Sequence, residues 1–425
     1  MSGLIGIFAF DENWPVSRFL YYGLMGLQHR GQESTGIVTL QHNRFYRRLC
    51  KGLAEESFKE EDLNELKGNV GCGSVSTSSD ILQPILVKES DKSIVLAFSG
   101  AIINGSLEDF ASTLLKEYLR SDLDQAALTV MEKFKGGYSF IALTDCGKMV
   151  SGRDPMGIRP LCVGGLGFDL AVFASESSAL DVIGSDLSRE VEPGEIITVE
   201  LFSVKKASLH SCSRTAYCSF EYVYYARPDS IVNGIPVYDV RRRIGLALAR
   251  EESVEADVVI GVPETAIPFA MAYSQATGIP VEMGFVRTGR SIRTAIKPTQ
   301  FERLVGVQLK LNPIQASVRG RRVILIDDSV VRGTTLRNTV YLLRKKGAKE
   351  VHVKIGSPPI VARCPYGATV PPEDELIGRA LTSDEIAQVI GADSFSYLSM
   401  NGLLNAIGLP REKLCLGCFT GEYPV

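Results

Sequence analysis

No apolar run reaches the roughly 18 residues of a membrane span. The amino terminus, Met1-Ser2-Gly3-Leu4-Ile5-Gly6-Ile7, has neither the basic stretch nor the long apolar core of a secretory signal. Membrane insertion and export are therefore not expected, and the chain reads as cytoplasmic. A basic excess is missing as well: 46 Lys and Arg stand against 49 Asp and Glu, a net charge of −3. Sequence-independent binding of nucleic acid needs such an excess, so nucleic acid is not an expected partner. Low-complexity tracts, long charge runs and internal repeats are absent, which sets aside disordered and solenoid classes. The Gly-x-x-x-x-Gly-Lys-Ser/Thr pattern of a P-loop does not occur.

What is present reads as a folded chain of two or three domains: 425 residues, 45% hydrophobic and 22% charged. Its halves differ in texture. Up to about residue 210, short apolar runs such as 93–98, 138–143 and 170–174 are divided by Gly, Asp and Ser. Runs of this length between turn formers predict strands, and a layered antiparallel architecture with some helices follows. From about residue 235 strands and helices alternate. Strands are predicted over 256–262, 322–327 and 350–355, and helices over 266–277 and 334–346, with Gly278 and Gly347 as stops. This βαβ series predicts a parallel sheet with helices on its faces.

The most specific pattern is Ile324-Leu325-Ile326-Asp327-Asp328-Ser329-Val330-Val331-Arg332-Gly333-Thr334-Thr335. A buried strand ends in two acids, a Ser/Gly/Thr turn follows, and a helix begins. Open α/β sheets bind ligands at the carboxyl ends of their strands. Backbone N–H groups of the turn and the helix start make an anion site, with Ser329, Thr334 and Thr335 adding hydroxyl donors. Asp327 and Asp328 suit a ribose diol or a Mg²⁺ ion that keeps its waters. A plain helix cap would need one such residue, not six. The segment resembles the phosphoribosylpyrophosphate-binding motif of type I phosphoribosyltransferases. That resemblance implies substrate contacts by Asp327, Asp328, Ser329, Arg332, Gly333, Thr334 and Thr335. It also implies a pyrophosphate and metal loop at 261–265, with Thr265 near Mg²⁺, and a pyrophosphate lysine at Lys310.

Further segments narrow the family. Leu27-Gln28-His29-Arg30-Gly31-Gln32-Glu33-Ser34, Asp154-Pro155-Met156-Gly157-Ile158-Arg159-Pro160-Leu161, Ala174-Ser175-Glu176-Ser177 and Val191-Glu192-Pro193-Gly194-Glu195 are similar to segments of the glutamine phosphoribosylpyrophosphate amidotransferase family. Residues 221–230 are similar to that family's junction between its two domains. The resemblance runs in order along nearly the whole chain. It implies an α+β N-terminal-nucleophile-hydrolase sandwich at 1–215, followed by an α/β type I phosphoribosyltransferase domain with a parallel sheet at 216–425. It also implies amidophosphoribosyltransferase activity on phosphoribosylpyrophosphate and ammonia, and a homo-oligomer, dimer or tetramer.

Nine cysteines occur. Cys50, Cys72, Cys146, Cys162 and Cys212 stand singly and are expected to be small buried hydrophobes. Some members of the family carry a [4Fe–4S] cluster on four cysteines, and the matching positions are Cys218, Cys364, Cys415 and Cys418, the last two as a C-x-x-C pair in a C-terminal tail. Tetrahedral zinc and four unconnected thiols are the alternatives.

The chain departs from the family at the glutamine site. The nucleophile position, an N-terminal cysteine in the family, is Ser2, a far weaker nucleophile near neutral pH. The family's His-x-Arg-Tyr-x-Thr reads Cys72-Gly73-Ser74-Val75-Ser76-Thr77, so the carboxylate-clamping arginine is Ser74. The oxyanion asparagine is Ser99, in Phe98-Ser99-Gly100-Ala101, and 119–136 is short for the glutamine-clamping region. The loop expected to close on phosphoribosylpyrophosphate keeps Arg293 and Thr294, but has Arg290 and Ala295 at the two aromatic positions. A lost glutaminase is therefore expected. Three readings follow: a transferase using free ammonia or ammonia from another protein, a non-catalytic subunit that binds phosphoribosylpyrophosphate or nucleotides and partners a glutaminase-active paralogue, and a full glutamine-dependent amidotransferase using Ser2.

Overall fold

The computed structural model describes residues 2–209, 214–287 and 311–424. The first half is a sandwich of two antiparallel sheets. In the seven-stranded sheet, the strand Ser2–Ala9 lies between Leu170–Ala174 and Val70–Ser76. In the six-stranded sheet, Gly136–Thr144 lies between Lys92–Ile102 and Met149–Arg153. Period-two alternation builds the layers. Leu4 and Phe8 point inward to meet Val95, Ala97 and Ile141 of the opposing sheet. Ile5 and Ile7 point outward, beneath the helix Ser17–Gly26. Ile94, Leu96 and Phe98 face the other way, under the helices Leu107–Tyr118 and Leu123–Lys133. The result is helix, sheet, sheet, helix, a layered antiparallel architecture with helices of the kind that the short apolar runs predict. At Gly6 the sheets approach so closely that a Cβ would lie 2.8 Å from the Ile141 side chain.

The second half contains a four-stranded parallel sheet in the order Val258–Gly261, Arg322–Asp327, Glu350–Ile355, Ser394–Tyr397. Its strands are apolar on both faces because both are covered. Val259, Ile324 and Ile326 pack on the helices Val237–Glu251, Ile267–Thr277 and Met400–Ile407. Val258, Ile260, Val323 and Leu325 pack on Thr334–Lys345 and Ser383–Ile390. Gly278, at φ 74°, ends the second of these helices as predicted. The strand predicted over 256–262 is the shorter Val258–Gly261: Asp257 instead accepts from Arg322 at the sheet edge. Among the described residues no helix is long and apolar enough to cross a membrane.

Of the single cysteines, Cys72 and Cys162 are buried as expected, and Cys50 is half-buried. Cys146 is exposed, because it sits in the turn joining Gly136–Thr144 to Met149–Arg153, beside the Tyr118 hydroxyl at 3.2 Å. Cys212 lies outside the described residues.

Candidate functional site

The parallel register places two loops side by side. Gly261 pairs with Ile326, so the loop carrying Thr265 leaves the sheet next to Asp327 and Asp328, and Val262 donates to the Ile326 carbonyl at 2.9 Å. Asp327 accepts from the Asp328 backbone at 2.9 Å, and Ser329 Oγ donates to Asp328 Oδ1 at 2.6 Å. Desolvation and the neighbouring Asp328 carboxylate push the Asp327 carboxyl well above its ordinary range. Burial pushes Asp328 up to about 6, against the pull of Ser329 and Arg241. Two carboxylates held this way invite a cation. Gly333 takes φ 74° just before the helix Thr334–Lys345, a conformation that glycine adopts without strain, and the first N–H groups of that helix have no partner inside it. Thr334 and Thr335 open the helix, beside the acids. Arg332 instead ion-pairs with Glu375 across the turn. Lys310, Arg293 and the altered loop lie outside the described residues.

Two residues beside the acids were not singled out from the sequence. Tyr224, on the π-helical turn Glu221–Tyr225, lies within electrostatic reach of both carboxylates. Arg241 holds that turn by donating to the carbonyls of Tyr222, Tyr224 and Ala226.

The four predicted cysteines line one cavity, together with Arg159 and Tyr423. Cys218 and Cys415 are opposed on the short parallel pair Tyr217–Cys218 and Leu414–Cys415. Val361 donates to the Cys418 carbonyl at 2.8 Å, drawing the tail toward the segment that carries Cys364. Burial pushes the Cys415 thiol up to about 11 and Cys418 well above its usual value. Thiolates are the metal-binding form; burial opposes them here, and the Arg159 guanidinium in the same cavity favours them at Cys218 and Cys415. Among the described residues no three His, Cys, Asp or Glu side chains are gathered to hold a single metal ion. Zinc would require four sulfurs at about 2.3 Å from one point. A cluster, which fills the space between its ligands with its own atoms, suits four cysteines set around a cavity.

At the other end of the sandwich, alternation turns Ser2, Ser74, Ser76 and Ser99 into the layer between the sheets. Ser2 pairs with Ser76, its Oγ donating to Ser76 Oγ at 3.3 Å. Ser99 donates to the Ser2 carbonyl at 2.6 Å. Ser74 is buried opposite Leu4. Arg30 reaches the same Ser2 carbonyl at 3.4 Å. It also pairs with Glu176 and Glu221, and Glu221 receives Arg159 at 3.4 Å. This buried ionic chain runs from the serine layer to the cysteine cavity. The sequence segments containing Arg30, Arg159 and Glu176 were visible as motifs, but their mutual contact was not.

An antiparallel sandwich opened by a buried N-terminal strand and joined to a parallel sheet with an acid-tipped phosphate turn is the architecture of a glutamine amidotransferase-type domain fused to a phosphoribosyltransferase. A glutamine amidotransferase domain model matches residues 74–182, and a phosphoribosyl transferase domain model matches 241–355. The chain is 41% identical over 447 residues to the amidophosphoribosyltransferase of Methanothermobacter thermautotrophicus, spanning 99% of this chain and 94% of that protein. It is 39% identical to that of Bacillus subtilis, again over 99% and 94%. The solved B. subtilis glutamine phosphoribosylpyrophosphate amidotransferase complexed with ADP and GMP has a TM-score of 0.89 at 39% identity, covering 99% of this chain and 97% of that one. This chain belongs to the amidophosphoribosyltransferase family.

Proposed function

We propose that the chain is an amidophosphoribosyltransferase of purine biosynthesis, a pentosyltransferase that places ammonia on C1 of phosphoribosylpyrophosphate. Full-length similarity to that family supports it, and the observation that carries it is Asp327 and Asp328 at the carboxyl end of a parallel strand, against the turn that opens a helix. The ammonia lone pair forms the new C1–N bond as the C1–O bond to pyrophosphate breaks. That electron pair leaves with pyrophosphate, and a proton leaves nitrogen. The developing charge is met by preorganised groups: N–H donors at 333–335 and the hydroxyls of Ser329, Thr334 and Thr335 on phosphate, with Asp327 or Asp328 on the ribose diol. Asp327, Asp328 and Thr265 would hold Mg²⁺, which when bound neutralises the pyrophosphate. Lys310, Arg293 and Arg332 complete the proposed substrate shell. The transferase occupies 216–425 and the glutaminase-like domain 1–215, in a homo-oligomer of the cytoplasm.

Cys218, Cys364, Cys415 and Cys418 would hold a [4Fe–4S] cluster, a reading supported by four cysteines around one apolar cavity. Its role in this proposal is to fasten the tail to the body. Glutamine hydrolysis is lost: Ser2 stands at the nucleophile position, Ser74 supplies no carboxylate clamp, and the Ser99 hydroxyl is directed at the Ser2 carbonyl. Ammonia then comes from solution or from a glutaminase-active paralogue.

The test is pyrophosphate release by anaerobically purified protein with phosphoribosylpyrophosphate and Mg²⁺. Release with ammonium and none with glutamine is the expected result. Release with glutamine would overturn the loss of the first activity. Binding without turnover would support the second reading, a non-catalytic subunit, which the missing aromatics at 290 and 295 favour.

A further inference from the structure

Tyr423 stands between two spaces. On the inner side is the cysteine cavity. On the outer side is a groove of about 470 Å³ bordered by Arg214, Arg411 and Glu422. The ring lies where the side chain of residue 417 would be: a Cβ on Gly417 would sit 2.2 Å from a Tyr423 ring atom. The lack of a side chain one residue before Cys418 therefore admits the ring. On its other flank the ring meets the buried Tyr366 edge-on, with centroids 5.6 Å apart and planes at 76°. The Tyr423 hydroxyl is buried and has no hydrogen-bond partner among the described residues. It lies within electrostatic reach of all four cysteine sulfurs.

Buried hydroxyls are nearly always satisfied, and the cavity that Tyr423 lines holds all four cysteines. We propose that Tyr423 is a positioning residue for the group bound by the four cysteines: its hydroxyl donates a hydrogen bond to a sulfur of the iron–sulfur cluster, and its ring is the wall that keeps solvent in the outer groove away from it. The proposal rests on the iron–sulfur reading of the cavity. Its two halves have separate consequences. A donor to a cluster sulfur stabilises the more negative, reduced form, and so raises the reduction potential, whereas solvent exclusion limits attack on the cluster. Tyr423→Phe keeps the wall and removes the donor. Tyr423→Ala removes both.

The experiment uses the full chain reconstituted anaerobically with iron and sulfide, in the unsubstituted form and both variants. Iron and sulfide content is measured first, then the midpoint potential by spectroscopic titration, then the rate of bleaching in air. The expected result is a potential displaced to more negative values in Tyr423→Phe with the bleaching rate of the unsubstituted chain, and bleaching several-fold faster in Tyr423→Ala. Loaded variants with unshifted potential and unchanged bleaching would overturn the role of Tyr423 while leaving the cluster in place. An unsubstituted chain that takes up no iron and sulfide would overturn the iron–sulfur reading, and this proposal with it.

Discussion

Arg30 and Glu221 meet through two hydrogen bonds, of 2.9 and 2.8 Å, with both side chains buried. One residue comes from the short turn Gln28–Arg30, between the first helix and the strand Ser34–Gln41, and the other from the turn that precedes the transferase sheet. Glu176 lies on the same guanidinium and also accepts from the Arg227 backbone and the Ser230 hydroxyl. A buried pair contributes little net stability over an apolar replacement, but breaking it strands a charge. Arg30→Met leaves buried Glu221 with Arg159 alone as its ion-pair partner and Glu176 with His29 alone, so it is expected to cost about 3 kcal/mol in chemical denaturation. A loss within about 1 kcal/mol, the range of an exposed pair, would show that water reaches this network.

Acid should release the same joint. Burial alone would raise the Glu176 carboxyl, yet His29 and Arg30 hold it far below its usual value of 4.5. A depressed carboxyl contributes stability that is complete above the unfolded value and lost as pH falls through the folded one. Stability is therefore expected to fall as pH drops below about 4.5. Glu176→Gln should flatten that slope, read from denaturation midpoints between about pH 5 and pH 3. Equal slopes in both proteins would place the acid-sensitive group elsewhere.

Ser2→Cys is expected to gain no glutamine hydrolysis. Restoring the thiol supplies a nucleophile, but Ser74 offers no cation for the glutamine carboxylate, and Ser99 is engaged with the carbonyl of residue 2. A missing oxyanion donor alone costs about 10²–10³ in rate. Glutamate production from glutamine is the measurement. A rate well above that of the unsubstituted chain would mean that the serine layer still forms a working glutamine site.

The periodicities foretold the sandwich and the parallel sheet because each is set by local alternation against a single core, as Leu4 and Ile5 show by facing opposite layers. The acid-tipped turn was legible because Asp327 to Thr335 are contiguous, so the site is nearly a local structure. The cysteine cavity gathers residues up to 200 positions apart, Cys218 to Cys418, and could be read only through resemblance. Arg241 and Tyr423 escaped notice for the same reason. An arginine on a helix and a tyrosine in a tail carry no local sign of what they touch. Arg332 shows the opposite failure: its place in the motif was plain, but its ion pair with Glu375 depends on a segment 43 residues away.

Asp327→Asn should separate function from folding. In the folded chain the Asp327 carboxyl is held well above its ordinary pKa, first by desolvation and then by the charge of Asp328. Its ionised form is thus disfavoured, and near neutral pH an ionised carboxylate there opposes the fold. An amide of the same shape removes both costs and can still accept from the Asp328 N–H. The same change removes a charge proposed to hold Mg²⁺ or the ribose diol, which should cost about 10² in rate or more. The expected outcome is a higher melting temperature together with a large loss of ammonium-dependent pyrophosphate release. Damage to the fold would lower both. Activity that survives the substitution would remove Asp327 from the site. Groups arranged for a ligand are commonly kept at a cost to stability, and opposite movement of the two measurements is what that arrangement predicts.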